Sequence, residues 1–296
     1  MATEIKEYIH KKRPNLSASS LTTYASICKS LYKKCFGEGK IVWDKFDNTD
    51  EVLKCLKDVP PNKRKTILSA LVIITDNAKY RELMVKDVRD YNKEISKQEL
   101  TPEQKENWVS SADIKVIFED LKRSAEMLMK KKTQLKPAEL QIIQNYIIVA
   151  LLGGQYIPPR RSKDYCDFKI KNVQDNKDNF LKGKEMVFNS YKTAKTYGTQ
   201  KVKIEAPLTT ILSKWIKLNP TEYLLFDSNM NKLTPVKLNQ RFNKIFDGKI
   251  SVNQMRHTFL TEKYAEHSKV DKELANDVEE MGTSKNMLTT YVKENV

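Results

Sequence analysis

Pro137-Ala-Glu-Leu-Gln-Ile-Ile-Gln-Asn-Tyr-Ile-Ile-Val-Ala-Leu-Leu152 is apolar on almost every side, and Gly153-Gly-Gln-Tyr-Ile-Pro-Pro-Arg-Arg161 follows it directly. Proline suits the first position of a helix, where its missing N–H costs nothing. A helix apolar all round is buried, so this segment is expected to run through the core of its domain. Gly153-Gly154 and Pro158-Pro159 break it, which places Arg161 on a turn just past the buried helix.

Working outward, most of the chain reads as helix. The stretch Ser110–Leu121 starts with a serine cap at Ser110 or Ser111 and points Ile114, Ile117, Phe118 and Leu121 inward. Further helices are expected at Pro207–Leu218, Pro235–Phe246, Val252–His267, Lys272–Glu280 and Lys285–Lys293. The period changes between Lys171 and Ala206. Glu185–Ser190 and Lys201–Ala206 alternate, with Lys192-Thr-Ala-Lys-Thr-Tyr-Gly198 between them, which reads as a β-hairpin with an exposed loop. Toward the amino terminus, short helices are expected at residues 1–12, from a Ser17 or Ser19 cap to Gly37, at Thr49–Leu56, Lys63–Ala78 and Arg81–Glu99. Polar residues from Ser96 to Asn107, with Pro102 among them, read as a linker. The fold class is therefore mainly α with a small β-sheet (α+β), in two domains, residues 1–100 and 101–296.

The composition bounds the partners. The 296 residues carry a formal net charge of +15. Residues 1–100 hold 20 Lys and Arg against 14 Asp and Glu, and residues 101–296 hold 33 against 24. A basic balance in both halves suits a polyanion gripped by both, although solvated surface charge reads the same way. In the first half, Lys63-Arg64-Lys65 is the expected phosphate contact. Cys28, Cys35, Cys55 and Cys166 form no CxxC pair and have no histidine cluster beside them. They read as buried thiols of a reducing compartment, with no metal and no cofactor implied. The amino terminus lacks an apolar signal region and no apolar run reaches 18 residues, so a soluble, intracellular protein is expected. His257 reads as a core or capping histidine, and Met281 as core.

The candidate reactive residues are Arg161, Lys192, Asn253, Arg256, Thr283 and Tyr291. Asn253 and Arg256 stand three apart on one helix and so face the same way. Thr283 follows a helix break at Gly282. A guanidinium fork holds two phosphate oxygens at once and keeps its charge. Two arginines can thus stabilise the charge that grows on an attacked phosphodiester without a metal. A loop lysine can protonate the leaving oxygen. A tyrosine oxygen can form a covalent phosphoester that conserves the bond for resealing. Arg160 competes with Arg161, and Lys195 with Lys192. Asp164, three residues after Arg161, favours Arg161 as the arginine whose fork it can lock.

In order and context these segments resemble the tyrosine recombinases (integrases), and within them the virus and virophage branch. IPPRRSKDY is similar to the first arginine box, with Arg161 and Asp164 in the arginine and acidic slots. SYKTAKTYG is similar to the hairpin lysine box, NQMRHTFLTEKY to the box of the second arginine, and MGTSKNMLTTY to the closing box with Tyr291 as nucleophile. LSASSLTTYASICKSLYKK resembles the first helices of a core-binding domain, so the resemblance covers roughly residues 15–296. It implies a DNA-binding domain over 1–100 and a catalytic domain over 101–296. It also implies a site-specific recombinase that works through a 3′-phosphotyrosyl link, needs neither metal nor ATP, and assembles as a dimer or tetramer on double-stranded DNA. If the source is viral, the host nucleus or cytoplasm would be the location. Asn253 and Thr283 stand where the family carries histidines, and neither can act as a base near neutral pH. A type IB topoisomerase and a DNA-binding protein that has lost cleavage are the alternatives.

Overall fold

A computed structural model describes residues 2–248 and 250–282. The chain divides into two compact units, Met1–Leu100 and Thr101–Val296. The architecture is mainly helical with one small sheet.

The first unit is all helical: α1 (Ala2–Lys12), α2 (Ala18–Phe36), α3 (Thr49–Cys55), α4 (Pro61–Thr75) and α5 (Ala78–Ser96), with a 3-10 turn over Trp43–Asp47. Ser17 caps α2 by accepting from the Ser20 N–H, and Gly37 ends it at φ 86°. The α4 helix starts at Pro61, earlier than its apolar period suggests, because proline occupies the first turn without loss. It stops at Asp76 in the left-handed region, and Asn77 then caps α5. A single core of Ile9, Phe46, Leu68, Leu71 and Tyr80 joins these helices. The Tyr80 hydroxyl donates to the Phe46 carbonyl at 2.7 Å, which ties α5 to the 3-10 turn.

Two expectations for this unit need correction. Arg64 is not a free phosphate contact. It donates twice to Asp87, at 2.8 and 2.7 Å, and that carboxylate is almost wholly buried. Lys65 lies over the Tyr91 ring, 2.9 Å from its centroid. The expectation of buried thiols fails for Cys35 and Cys55, which are partly exposed, while Cys28, and Cys166 in the second unit, are buried.

The second unit begins with the short α6 (Pro102–Glu106), so the linker is only Lys97–Thr101. The helices α7 (Ser111–Met129) and α8 (Pro137–Leu152) pack together. Ser110 and Asp113 cap α7 reciprocally. From Ile143 to Leu152, all of α8 but Asn145 is buried. Each such aliphatic side chain contributes roughly 1.5–3 kcal/mol. After the Gly153-Gly154 break comes α9 (Ser162–Cys166), with Arg161 as its N-cap residue.

The sheet order is β1 (Phe168–Lys169), β2 (Asn179–Lys182), β3 (Glu185–Phe188), β4 (Gln200–Lys203). β1 runs parallel to β2, and the other pairs are antiparallel. Gly183, at φ 61°, makes the two-residue turn between β2 and β3. In the β3–β4 hairpin the last cross-strand pair is Phe188 with Gln200. The loop above it carries α10 (Ala194–Tyr197).

The helices α11 (Ala206–Leu218), α12 (Pro235–Ile245) and α13 (Val252–Glu280) follow, and the expected helix Lys285–Lys293 lies outside the described residues. The α13 helix is a correction, since one continuous helix replaces the expected pair Val252–His267 and Lys272–Glu280. Beyond its first turns α13 is mostly exposed, so no apolar stripe marks its course in the sequence. His257 is exposed, not core, and Met281 is 64% exposed. No helix among the described residues is long and apolar enough to cross a membrane, and no group of residues among them could hold a metal ion.

Candidate anion-binding cleft

Three segments meet at a cleft of about 350 Å³: the Ile157–Arg161 turn with α9, the hairpin loop above β3 and β4, and the start of α13. Arg161 and Arg256 both line it, together with Tyr191, Thr193 and Tyr197. The Arg161 side chain makes no hydrogen bond or ion pair among the described residues, although its carbonyl accepts from the Asp164 N–H at 3.0 Å. Among the described residues the Arg256 side chain has one long bond, from Nη1 to the Asn253 Oδ1 at 3.5 Å. Two guanidinium groups with spare donors therefore line one open cleft, which is suited to an oxyanion of phosphate type.

Asp164, 2% exposed, lines the same cleft. Burial pushes its carboxyl above the ordinary range, opposed chiefly by the Arg160 charge and less by Arg161 and Arg256. One oxygen, Oδ2, accepts from Arg160 Nε at 3.0 Å, and Oδ1 has no partner among the described residues. The expectation that Asp164 locks the Arg161 fork is thus corrected. The carboxylate takes Arg160, four residues earlier and ahead of the α9 N-cap, and Arg161 is left to the cleft.

Arg160 itself was read only as a competitor. Its side chain is 17% exposed. The guanidinium lies over the Phe188 ring at 3.9 Å and the Tyr191 ring at 5.1 Å, and Nη1 donates to Gln200 Oε1 at 2.9 Å. Asn179, fully buried, is a second residue that sequence reasoning missed. Its amide donates to the carbonyls of Asp164 and Ser190, and its Oδ1 accepts from the N–H groups of Asn189 and Ser190. It holds α9 against the end of β3. No period or motif marks an asparagine for such a role.

The other predicted site residues fall as follows. Lys192 is exposed at the base of the hairpin loop, between two residues that line the cleft, Tyr191 and Thr193. Lys195, its competitor, is exposed on α10. Asn253 is exposed on the first turn of α13. Thr283 and Tyr291 lie outside the described residues.

A larger cleft, about 460 Å³, lies between the start of α7, Gly153-Gly154 and α13. There Glu262 accepts from the Ser111 N–H at 3.0 Å, so its carboxylate is spent on the α7 N-terminus. Two lysines, Lys115 and Lys263, line it with that carboxylate, but no arginine among the described residues does, and the smaller cleft is the better functional candidate.

No family model matches the chain, and no curated protein matches it. Solved structures that it matches include the crystal structure of XerA recombinase, at 12% identity with a TM-score of 0.36, covering 88% of this chain and 84% of that one. A likeness at that level assigns neither function nor residues.

Proposed function

We propose that the chain is a DNA strand transferase of the tyrosine recombinase type. The observation that carries this reading is the cleft in which Arg161 and Arg256 offer unspent guanidinium donors beside the loop that bears Lys192. In this reading the scissile phosphate sits between the two arginines, which neutralise the charge gained on its non-bridging oxygens. The Tyr291 phenol attacks phosphorus and gives its proton to solvent. The bond to the 5′ oxygen breaks, and that oxygen takes a proton from the Lys192 ammonium. The product is a 3′-phosphotyrosyl link and a free 5′ hydroxyl, and the reverse steps reseal the strand. Asn253 and Thr283 serve as neutral hydrogen-bond donors. A phenol of pKa about 10 then depends on the arginines for its activation. Strand exchange between two duplexes requires several protomers on DNA, and unit 1 supplies further basic surface.

Binding without cleavage is the second reading. No histidine lines the cleft, so the usual imidazole base has no place there. A duplex nicked close to the cleavage site separates the two. The first reading expects a covalent protein–DNA adduct that disappears in Tyr291→Phe and falls at least a hundredfold in Arg161→Ala. Salt-dependent binding with no adduct on any nicked substrate would favour the second.

A further inference from the structure

We propose that Arg160 is a positioning residue that sets the hairpin loop, and Lys192 with it, against Arg161. The proposal deepens the strand-transferase reading and rests on it for the catalytic consequence only.

The Phe188–Gln200 pair is where the loop leaves the sheet and where it returns. Arg160 touches both members: its guanidinium covers the Phe188 ring at 3.9 Å, and Nη1 reaches the Gln200 amide oxygen at 2.9 Å. It also covers the Tyr191 ring, next in sequence to Lys192. Tyr191 in turn closes the loop on itself, its hydroxyl donating to the Gly198 carbonyl at 2.7 Å. The remaining contact, Nε to Asp164, runs to α9, the helix that Arg161 caps. One planar cation therefore links both roots of the loop to the turn that presents the neighbouring arginine.

A lysine could not replace it. An ammonium has no plane to stack on Phe188 and no fixed fork to reach Asp164 and Gln200 together. Arg160 has its Nε and Nη1 engaged and an aromatic ring over one face, so most of its fork is spent on the protein rather than on the cleft it borders. Loss of a positioning group lets reacting atoms drift by about an ångström, enough to slow a reaction up to about a hundredfold.

The test compares full-length wild type with Arg160→Lys, Arg160→Met and Gln200→Ala. Amide hydrogen exchange is measured first, without DNA. Residues 189–200 are expected to exchange at least tenfold faster in both Arg160 variants and less so in Gln200→Ala, with Ile143–Leu152 unchanged. If an Arg160 variant fails to fold, Gln200→Ala still reads the link. Unchanged exchange of the loop in every folded variant overturns the proposal. Covalent adduct on a nicked duplex is measured next. Arg160→Lys is expected to slow adduct formation at saturating DNA ten- to a hundredfold while leaving DNA affinity and its salt slope within twofold of wild type. Arg161→Ala instead lowers the salt slope by about one. Faster loop exchange with an undiminished adduct rate also overturns the positioning role. A wild type that never forms adduct defeats the strand-transferase reading, and the exchange result alone then decides what Arg160 holds.

Discussion

Arg64 and Asp87 show what a buried charge pair requires. Asp87 is 1% exposed, and both of its oxygens are met by the Arg64 fork. Removing the arginine leaves an uncompensated carboxylate in the core, so Arg64→Ala is expected to cost about 3 kcal/mol. Replacing both residues by apolar ones of similar size is expected to recover most of it. Denaturant midpoints of the two variants check this. Asp164 gives a prediction with a sign. Burial raises its pKa, against the Arg160 charge, so the folded chain holds this proton more tightly than the unfolded chain does. The stability it contributes is full below the ordinary carboxylate pKa of about 3.9 and is lost as pH rises through the folded value. Asp164→Asn lacks that slope. The melting temperature of wild type minus that of the variant should therefore shrink as pH is raised from 4, and a constant or growing difference would contradict the assignment.

At the scale of elements, the cleft depends on how closely α13 approaches the end of α8. Gly154 stands at that end with φ 79°, and a Cβ there would lie 2.7 Å from Phe259 Cδ2. Only glycine meets both demands. Gly154→Ala is expected to cost on the order of 2–4 kcal/mol, from left-handed strain and overpacking together. Phe259 is one turn after Arg256 on α13, so the displaced ring should also move that arginine. Weaker binding of a short DNA duplex, measured under conditions where the variant is folded, would register it. The hairpin shows the converse. Its strands were readable because Glu185–Phe188 and Gln200–Lys203 pair with each other over a short loop. The strand β1 was not, because two residues are too few to display a period.

At the scale of the molecule, each unit has its own apolar core, and the residues between them, Lys97 to Glu99, are exposed. Brief trypsin treatment is expected to cut first after Lys97 and to leave two fragments that each unfold cooperatively. An early cut inside α4 or α8 would contradict this. The positive charge is shared between the two parts, so DNA binding by the whole chain should weaken steeply as salt is added. Each fragment alone should show a shallower slope, and titrations at several salt concentrations would measure it.

The amino-acid sequence by itself determined the helices with strong periods, their serine caps to within two residues (the structure selects Ser17 and Ser110), the buried course of α8 and the turn that carries Arg161. All of these rest on interactions within about four residues, and such interactions are written in neighbouring letters. Tertiary structure alone decided which arginine Asp164 would hold. Arg160 and Arg161 are both within local reach of that carboxylate. The choice falls to Phe188 and Gln200, which wait 28 and 40 residues further on to stack on one guanidinium and bind it. It likewise decided that Arg64 belongs to the core and that α13 runs unbroken, because burial and long-range pairing depend on surfaces that meet only when the chain has folded.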